Sequence, residues 1–358
     1  LRFDLRNHPT QLDLPNSTIM KKPQILISLL ASATLFAASN LNAATTDPVG
    51  YITLTVNGTG GVGSSAVSVL GAPIESVVSA TGTITDVSGN TITSASSGWV
   101  VSDFANTHYV RITSGTNSGI ITTITANTST TLTTSEDISS LVANGNTLEI
   151  RGYTTLAGIF GGANEAGLGS GADFGAADEV LIFNGTNFDI FYYQEGAAFG
   201  GDGWRSSTNK FVDASATPVP PGLSIVVKRK ATDPIDIVLS GSLLNSDTFI
   251  PVENGVNWMS GAHPIDYSLS GYFGANGGSL QKGADFSSAD EILVPKIGGG
   301  FDIYYYQEGA AFGGDGFRSS TNKFVDVSTT TIASVGSGFV LKRKGSEYNQ
   351  LDDTPLDD

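Results

Sequence analysis

The chain has 358 residues, with 34 acidic against 18 basic side chains, a net charge of −16 at pH 7, and no cysteine. A surface this acidic repels phosphate backbones and anionic lipid, which argues against a nucleic-acid partner. Without cysteine there is no disulfide, no thiolate nucleophile and no cysteine-based zinc or iron–sulfur site, so core burial has to supply the stability.

The first element is a leader. From Met20 the chain reads MKKPQILISLLASATLFAASNLNA. Lys21 and Lys22 form a positive head, Ile25 to Ala38 an apolar run, and Leu41-Asn42-Ala43 a small-x-small cleavage site. This is the pattern of a secretory signal peptide over residues 20–43, with residues 1–19 read as upstream read-through. The apolar run is shorter than the ~20 residues of a membrane span. The expected mature chain is secreted, extracellular or at the cell surface, with the periplasm as an alternative, and does not span the membrane.

Downstream, short β-branched runs alternate with Gly, Asn, Asp and Ser turns, which predicts an all-β fold. Self-comparison then sets the domains. Residues 192–213, YYQEGAAFGGDGWRSSTNKFVD, match residues 305–326 at every position except Trp204 against Phe317. GADFGAADEVLIF from Gly171 matches GADFSSADEILVP from Gly283, and SIVVKRK ending at Lys230 matches GFVLKRK ending at Lys344. The copies also start alike, with ATTDPVGYITL from Ala44 resembling ATDPIDIVL from Ala231. The spacing differs between the starts and the later matches, which predicts an insertion at 76–152. The expected organisation is one discontinuous module over 44–75 and 153–230, an inserted small β-domain, a second module over 231–344, and an acidic disordered tail over 345–358.

Within a module, strands are predicted at 50–56, 179–183, 188–193, 209–213 and 223–229, with a hairpin signal at Asn184-Gly185. Pro218, Pro220 and Pro221 mark a loop before the last of them. About seven strands per module suggest a β-sandwich or small barrel. In the insertion, a hairpin around Ser88-Gly89-Asn90 and the alternating runs HYVRITSG, GIITTITANTS, TTLTT and NTLEIRG suggest a small β-barrel. The strands are shorter and richer in Gly, Thr and Asp than the roughly ten-residue strands of an outer-membrane barrel.

Catalytic motifs are lacking. There is no G-x-S-x-G elbow, no phosphate-binding glycine loop and no paired histidine, and His108 and His263 read as ordinary loop or strand-end residues. No cofactor is expected. A Gly-Gly-Asp-Gly loop at 200–203 and 313–316 offers oxygens to calcium but lacks the spaced ligands of a calcium loop, and a tight turn explains it as well. Glu195 with Asp202, and Glu308 with Asp315, are candidate acid/base pairs for glycoside hydrolysis, a reading that would place two active sites in one chain. Tyr192, Tyr193, Trp204 and Arg205, with Tyr305, Tyr306, Phe317 and Arg318, form the candidate ligand surface together with those carboxylates. Phe199 and Phe312 belong to the same aromatic clusters. Such rings stack on sugars or peptides, and they also fill β-cores. The basic ends KRK at 228–230 and 342–344 are expected to solvate strand ends and pair with local acids.

DPVGYITL after a leader, GTNSGIITTITANTSTTLTT with GNTLEIRGYTTLAGIFG, and ADEVLIFNGTNFDIFYY with GWR and PPGLSIVVKRK resemble a family of secreted proteins of unknown function seen in Verrucomicrobia. The resemblance spans most of the mature chain. It implies export and carries over no catalytic or binding residue. The expected function is that of a non-enzymatic secreted or cell-surface structural or interaction protein, whose partner is a cell-surface protein or an extracellular polysaccharide. Carbohydrate binding through the aromatic and acidic loops is the alternative, and a glycoside hydrolase the second alternative.

Overall fold

The computed structural model describes residues 49–61, 65–244 and 246–355, all within the unit Thr46–Asp358. The predicted leader and residues 1–19 lie outside the described residues.

Alternation builds the first strand. In β1 (Val49–Val56), Ile52, Leu54 and Val56 are buried while Tyr51, Thr53 and Thr55 are exposed, as expected for a strand covered on one face. β2 (Ala66–Gly71) follows. A run of short strands comes next: β3 (Val78–Thr83), β4 (Asp86–Ser88), β5 (Thr91–Thr93), β6 (His108–Ile112), β7 (Ile121–Asn127), β8 (Thr131–Thr134) and β9 (Thr147–Gly152). The chain continues through β10 (Thr154–Thr155), α1 (Leu156–Phe160), β11 (Glu179–Phe183), β12 (Phe188–Gln194), β13 (Gly203–Ser206), β14 (Pro218–Val219), β15 (Ser224–Arg229) and β16 (Ile235–Ser242). The series then recurs without the insertion as β17 (Thr248–Val252), β18 (Gly255–Ser260), β19 (Tyr267–Ser268), α2 (Leu269–Phe273), β20 (Glu291–Pro295), β21 (Phe301–Gln307), β22 (Gly316–Ser319), β23 (Thr331–Ala333), β24 (Gly338–Arg343) and β25 (Tyr348–Asp352). The protein is all-β. Among the described residues helix is confined to α1 and α2, whose N-caps Thr155 and Ser268 accept the N–H of Gly158 and Gly271. No helix among them is long and apolar enough to cross a membrane.

The two series fold alike. Five-stranded antiparallel sheets run β13-β12-β11-β15-β2 and β22-β21-β20-β24-β18. Each shares a core with a two-stranded ribbon, β1 with β16 and β17 with β25. In the first module Leu54, Ile237 and Leu239 of the ribbon pack with Val180, Phe191, Trp204 and Ile225 of the sheet. In the second, Ile250 and Val252 pack with Ile292, Phe317, Phe339 and Leu341.

This pairing moves the expected module boundary. The segment ATDPIDIVL, read as the start of the second copy at 231, closes the first one, because β16 pairs with β1 from Val49↔Ser242 to Val56↔Ile235. In the second module β25 holds that place against β17, from Thr248↔Asp352 to Val252↔Tyr348. Residues 345–358 are therefore not simply a disordered tail: Tyr348–Asp352 is the closing strand, with Gln350 and Asp352 buried. Composition misled here because a closing strand needs only two or three inward side chains, while β17 supplies its backbone partners. The strand expected at 209–213 is also absent. That segment is a loop, and the strand is β13, which ends at Ser206, three residues before it. The Asn209 side chain accepts the Phe211 N–H at 3.1 Å and the Ser206 and Thr208 hydroxyls bond at 2.9 Å, so Ser-Ser-Thr-Asn turns the chain by bonding locally.

The modules meet through β2 and β15 on one side and β18 and β24 on the other, and the contacts are reciprocal. Leu70 bridges to Ser337 as Met259 bridges to Leu223. The Gly71 N–H donates to Gly336 O at 3.1 Å, and the Ser260 N–H to Gly222 O at 2.8 Å. By strand register Gly71 corresponds to Ser260 and Ser224 to Gly338, so a two-fold rotation exchanges the pairs. Small residues occupy the axis. A Cβ on Gly71 would lie 2.4 Å from Ser260 Cβ, and one on Gly338 2.5 Å from Ser224 Cβ.

The inserted strands form their own sheet in the order β3-β9-β6-β7-β8-β5-β4. Its two edge strands, β3 and β4, are joined by Ile84 and Thr85 alone, so the sheet rolls almost shut around Ile92, Trp99, Val110, Ile124, Leu132 and Ile150. It docks on the second module's ribbon. Gly119 O accepts the Phe249 N–H at 3.0 Å. Buried Arg111 sends Nη2 to the carbonyls of Ser246 and Asp247, both at 2.8 Å. On the first-module side Arg151 pairs with Glu149 at 2.8 Å and lies 3.5 Å from Glu75.

Candidate functional site

The repeated 22-residue segment covers the second half of β12, a loop, β13 and the loop at 207–213. Its interior is set by three side chains. Gln194 is buried at the end of β12; its Nε2 donates to Phe199 O at 3.1 Å and Gly201 O at 2.7 Å, and its Oε1 accepts from the Tyr192 hydroxyl at 3.0 Å. Arg205 Nη1 donates to Trp204 O at 2.8 Å and Nη2 to Gly200 O at 2.7 Å. Trp204 is 0 % exposed, and its Nε1 donates to Gly161 O at 2.8 Å. Gln307, Arg318 and Tyr305 repeat these bonds in the second module, where Phe317 is also fully buried.

The candidate ligand surface is thus corrected in its central members. Trp204, Phe317, Tyr192, Tyr305 and Tyr306 are buried, and Tyr193 packs on Trp204 with ring centroids 5.7 Å apart. Arg205 and Arg318 are buried loop braces. Period-two alternation puts Phe191 and Tyr193 on the core side of β12, and these rings fill that core. In the Gly-Gly-Asp-Gly loop the carbonyls of Gly200, Gly201 and Asp202 face the Arg205 guanidinium. Asp202 Oδ1 accepts the Gly196 N–H at 3.0 Å, as Asp315 does from Gly309, which is an Asx-type loop closure. Glu195 accepts from the Ser170 hydroxyl and Glu308 lies 3.5 Å from Lys282. These exposed carboxylates decorate an open loop. Among the described residues no three His, Asp or Glu side chains converge as a metal site.

Different residues reach solvent. Phe199 is 69 % exposed and Phe211 67 %, with Phe312 at 69 % and Phe324 at 66 % in the second module. The two tips of each module are adjacent: the space beside Gly200 is filled by Lys210 O, only 2.4 Å from where a Cβ would sit, and Gly313 meets Lys323 O in the same way. Lys210 and Lys323 sit over the Phe211 and Phe324 rings at 5.9 and 5.8 Å. Phe211 and Phe324 escape a sequence reading that gives NKFVD to a strand. The Ser-Ser-Thr-Asn before them is the signal that lifts them out of the sheet.

The KRK ends are more than solvated termini. Arg229 is buried and pairs with buried Asp178 at 2.9 Å, and Arg343 with Asp290 at 2.5 Å. Lys230 and Lys344 reach Glu179 and Glu291 at 3.0 and 2.7 Å. His108 is half-buried and bonds Thr107, and burial holds its imidazole below the ordinary range. No protein-family model, curated protein or solved structure matches the chain, so function is argued from this geometry alone.

Proposed function

We propose that the protein is an exported, non-enzymatic interaction protein that engages its partner at two equivalent points, the tips bearing Phe199 with Phe211 and Phe312 with Phe324. One observation carries this reading. The repeated segments differ only at Trp204 against Phe317, and both of these rings are buried, so the outward residues of the two tips are the same. Contiguous exposed apolar side chains mark interaction surfaces, and aromatic anchors dominate the energetics of protein interfaces. Two identical tips on one chain raise avidity when the partner presents its sites in pairs. A cell-surface protein is the partner that such rings suit best. Export rests on the leader at 20–43, and the absence of catalytic motifs supports a binding role.

The test is a sedimentation assay of the purified chain with intact cells, with and without protease treatment of their surface. Wild type is expected to co-sediment and to lose binding after proteolysis. Phe211→Ser and Phe324→Ser should each weaken binding, and the double variant should lose more than a hundredfold through lost avidity. Equal binding by the double variant and wild type would refute the proposal. Binding that resists proteolysis and is competed by isolated polysaccharide would replace the protein partner with a glycan.

A further inference from the structure

The two modules differ most where their closing strands face the core. In β16 the inward side chains are Ile235, Ile237 and Leu239. By register the matching positions of β25 are Tyr348, Gln350 and Asp352. Across from them Thr154 and Ile159 of the first module are matched by Tyr267 and Tyr272. An aliphatic corner in one module is a tyrosine- and carboxylate-lined cavity of about 110 Å³ in the other, roughly the room of three or four water molecules. Asp266 and Asp353, both exposed, stand at its mouth with Gly271.

Within it the hydrogen bonding is incomplete. Asp352 Oδ2 accepts the Ala262 N–H at 2.6 Å and the Tyr267 hydroxyl at 3.0 Å, and among the described residues no donor reaches Oδ1. Tyr272 is 4 % exposed and lines the cavity, yet its hydroxyl has no partner among the described residues. The Tyr267 and Tyr272 rings stand at 87° with centroids 5.1 Å apart. No basic residue lines the cavity, and among the described residues no three carboxylate or histidine side chains converge to hold a metal.

We infer that this cavity binds a small primary ammonium group, the end of a free amine or of a lysine side chain, at the Asp352 carboxylate, with the tyrosine rings as its walls. An ammonium brings donors to the carboxylate oxygen that the protein leaves open, and an ionised carboxylate can only accept. Its charge suits the carboxylates and excludes anions, and aromatic walls favour an organic cation over a strongly hydrated one. The site is separate from the phenylalanine tips and does not depend on their role. The groups around Asp352 are Asp353, Asp247, Tyr267, Tyr272 and His263. Burial, aided by Asp353 and Asp247, pushes its carboxyl up to about 7 against the bonds from Ala262 and Tyr267. The ligand therefore has to compete with a proton below neutral pH.

Calorimetric titration of the full chain with methylammonium chloride at pH 8 tests this, beside N-acetyl-lysine amide, tetramethylammonium chloride and potassium chloride. Saturable millimolar binding of methylammonium is expected, about tenfold weaker at pH 6 because a carboxyl titrating near 7 is then mostly protonated. Asp352→Asn should lose at least tenfold. Asp266→Asn, which keeps an oxygen for the Val335 N–H and removes a charge at the exposed mouth, should lose a few-fold while leaving the fold intact. Binding of the lysine amide as well assigns the site to peptide lysines, and binding of methylammonium alone assigns it to free amines. The inference is overturned by no saturation up to 50 mM, by unchanged affinity in both the Asp352→Asn and Asp266→Asn chains, or by equal response to tetramethylammonium or potassium.

Discussion

Truncation after Lys344 separates the two readings of the C-terminal segment. As a disordered tail, its removal would leave stability untouched. As β25, its removal takes away the partner of β17 along five register pairs. About five backbone hydrogen bonds at roughly 1 kcal/mol each give about 5 kcal/mol. Buried groups are orphaned as well: Tyr272 O loses Gln350 Nε2 at 2.7 Å, and the Ala262 N–H loses Asp352, at about 1–3 kcal/mol apiece. Ile250, Val252 and Tyr272 are exposed in addition. The total is at least about 5 kcal/mol, comparable with the whole stability of many domains. Guanidinium unfolding, followed by tryptophan fluorescence and limited proteolysis, should show the second module unfolded or strongly destabilised. A milder variant, Gln350→Ala, should lower stability by about 1–3 kcal/mol through the orphaned carbonyl. A chain ending at Lys344 that unfolds at the wild-type midpoint would refute the assignment of β25 as the closing strand.

Asp352 makes stability fall as pH rises. Its folded carboxyl titrates near 7 and its unfolded one near ~4, so the folded chain binds the extra proton between those values. Its stabilising effect is complete below pH ~4 and lost by about 7, a change of about 4 kcal/mol, and the stability difference between wild type and Asp352→Asn measured across that range should show it. Asp178→Ala leaves the buried Arg229 guanidinium unpaired and should cost about 3–5 kcal/mol in chemical denaturation, with Asp290→Ala doing the same in the second module. Trp204→Ala should cost about 3–5 kcal/mol, while Phe211→Ala, at an exposed tip, should stay within about 0.5 kcal/mol; a large loss in the latter would remove it from the surface. Gly71→Val places a side chain against Ser260 on the two-fold axis and should cost about 1–3 kcal/mol by overpacking, read as a lowered unfolding midpoint.

What the sequence determined by itself is local or repetitive. β-branched alternation gives the strands at 179–183 and 224–229 almost to the residue, because side-chain direction in a strand depends only on position parity. The duplication and the β-rich insertion were legible because self-similarity needs no structure. Tertiary structure decided the rest. Whether ATDPIDIVL opens the second module or closes the first depends on which strand it pairs with, and two strands of similar pattern are equally good partners until the chain is folded. Whether an aromatic ring is core or surface depends on the local turn. Trp204 follows the loop braced by Gln194 and Arg205 and points inward, whereas Phe211, seven residues on, is carried outward by the Asn209 turn. Composition likewise marks YNQLDD as acidic and nothing more. Only the register against β17 turns Asp352 into the core and sets it beside Tyr267, 85 residues away, since a strand's partner and the groups it meets are fixed by long-range packing.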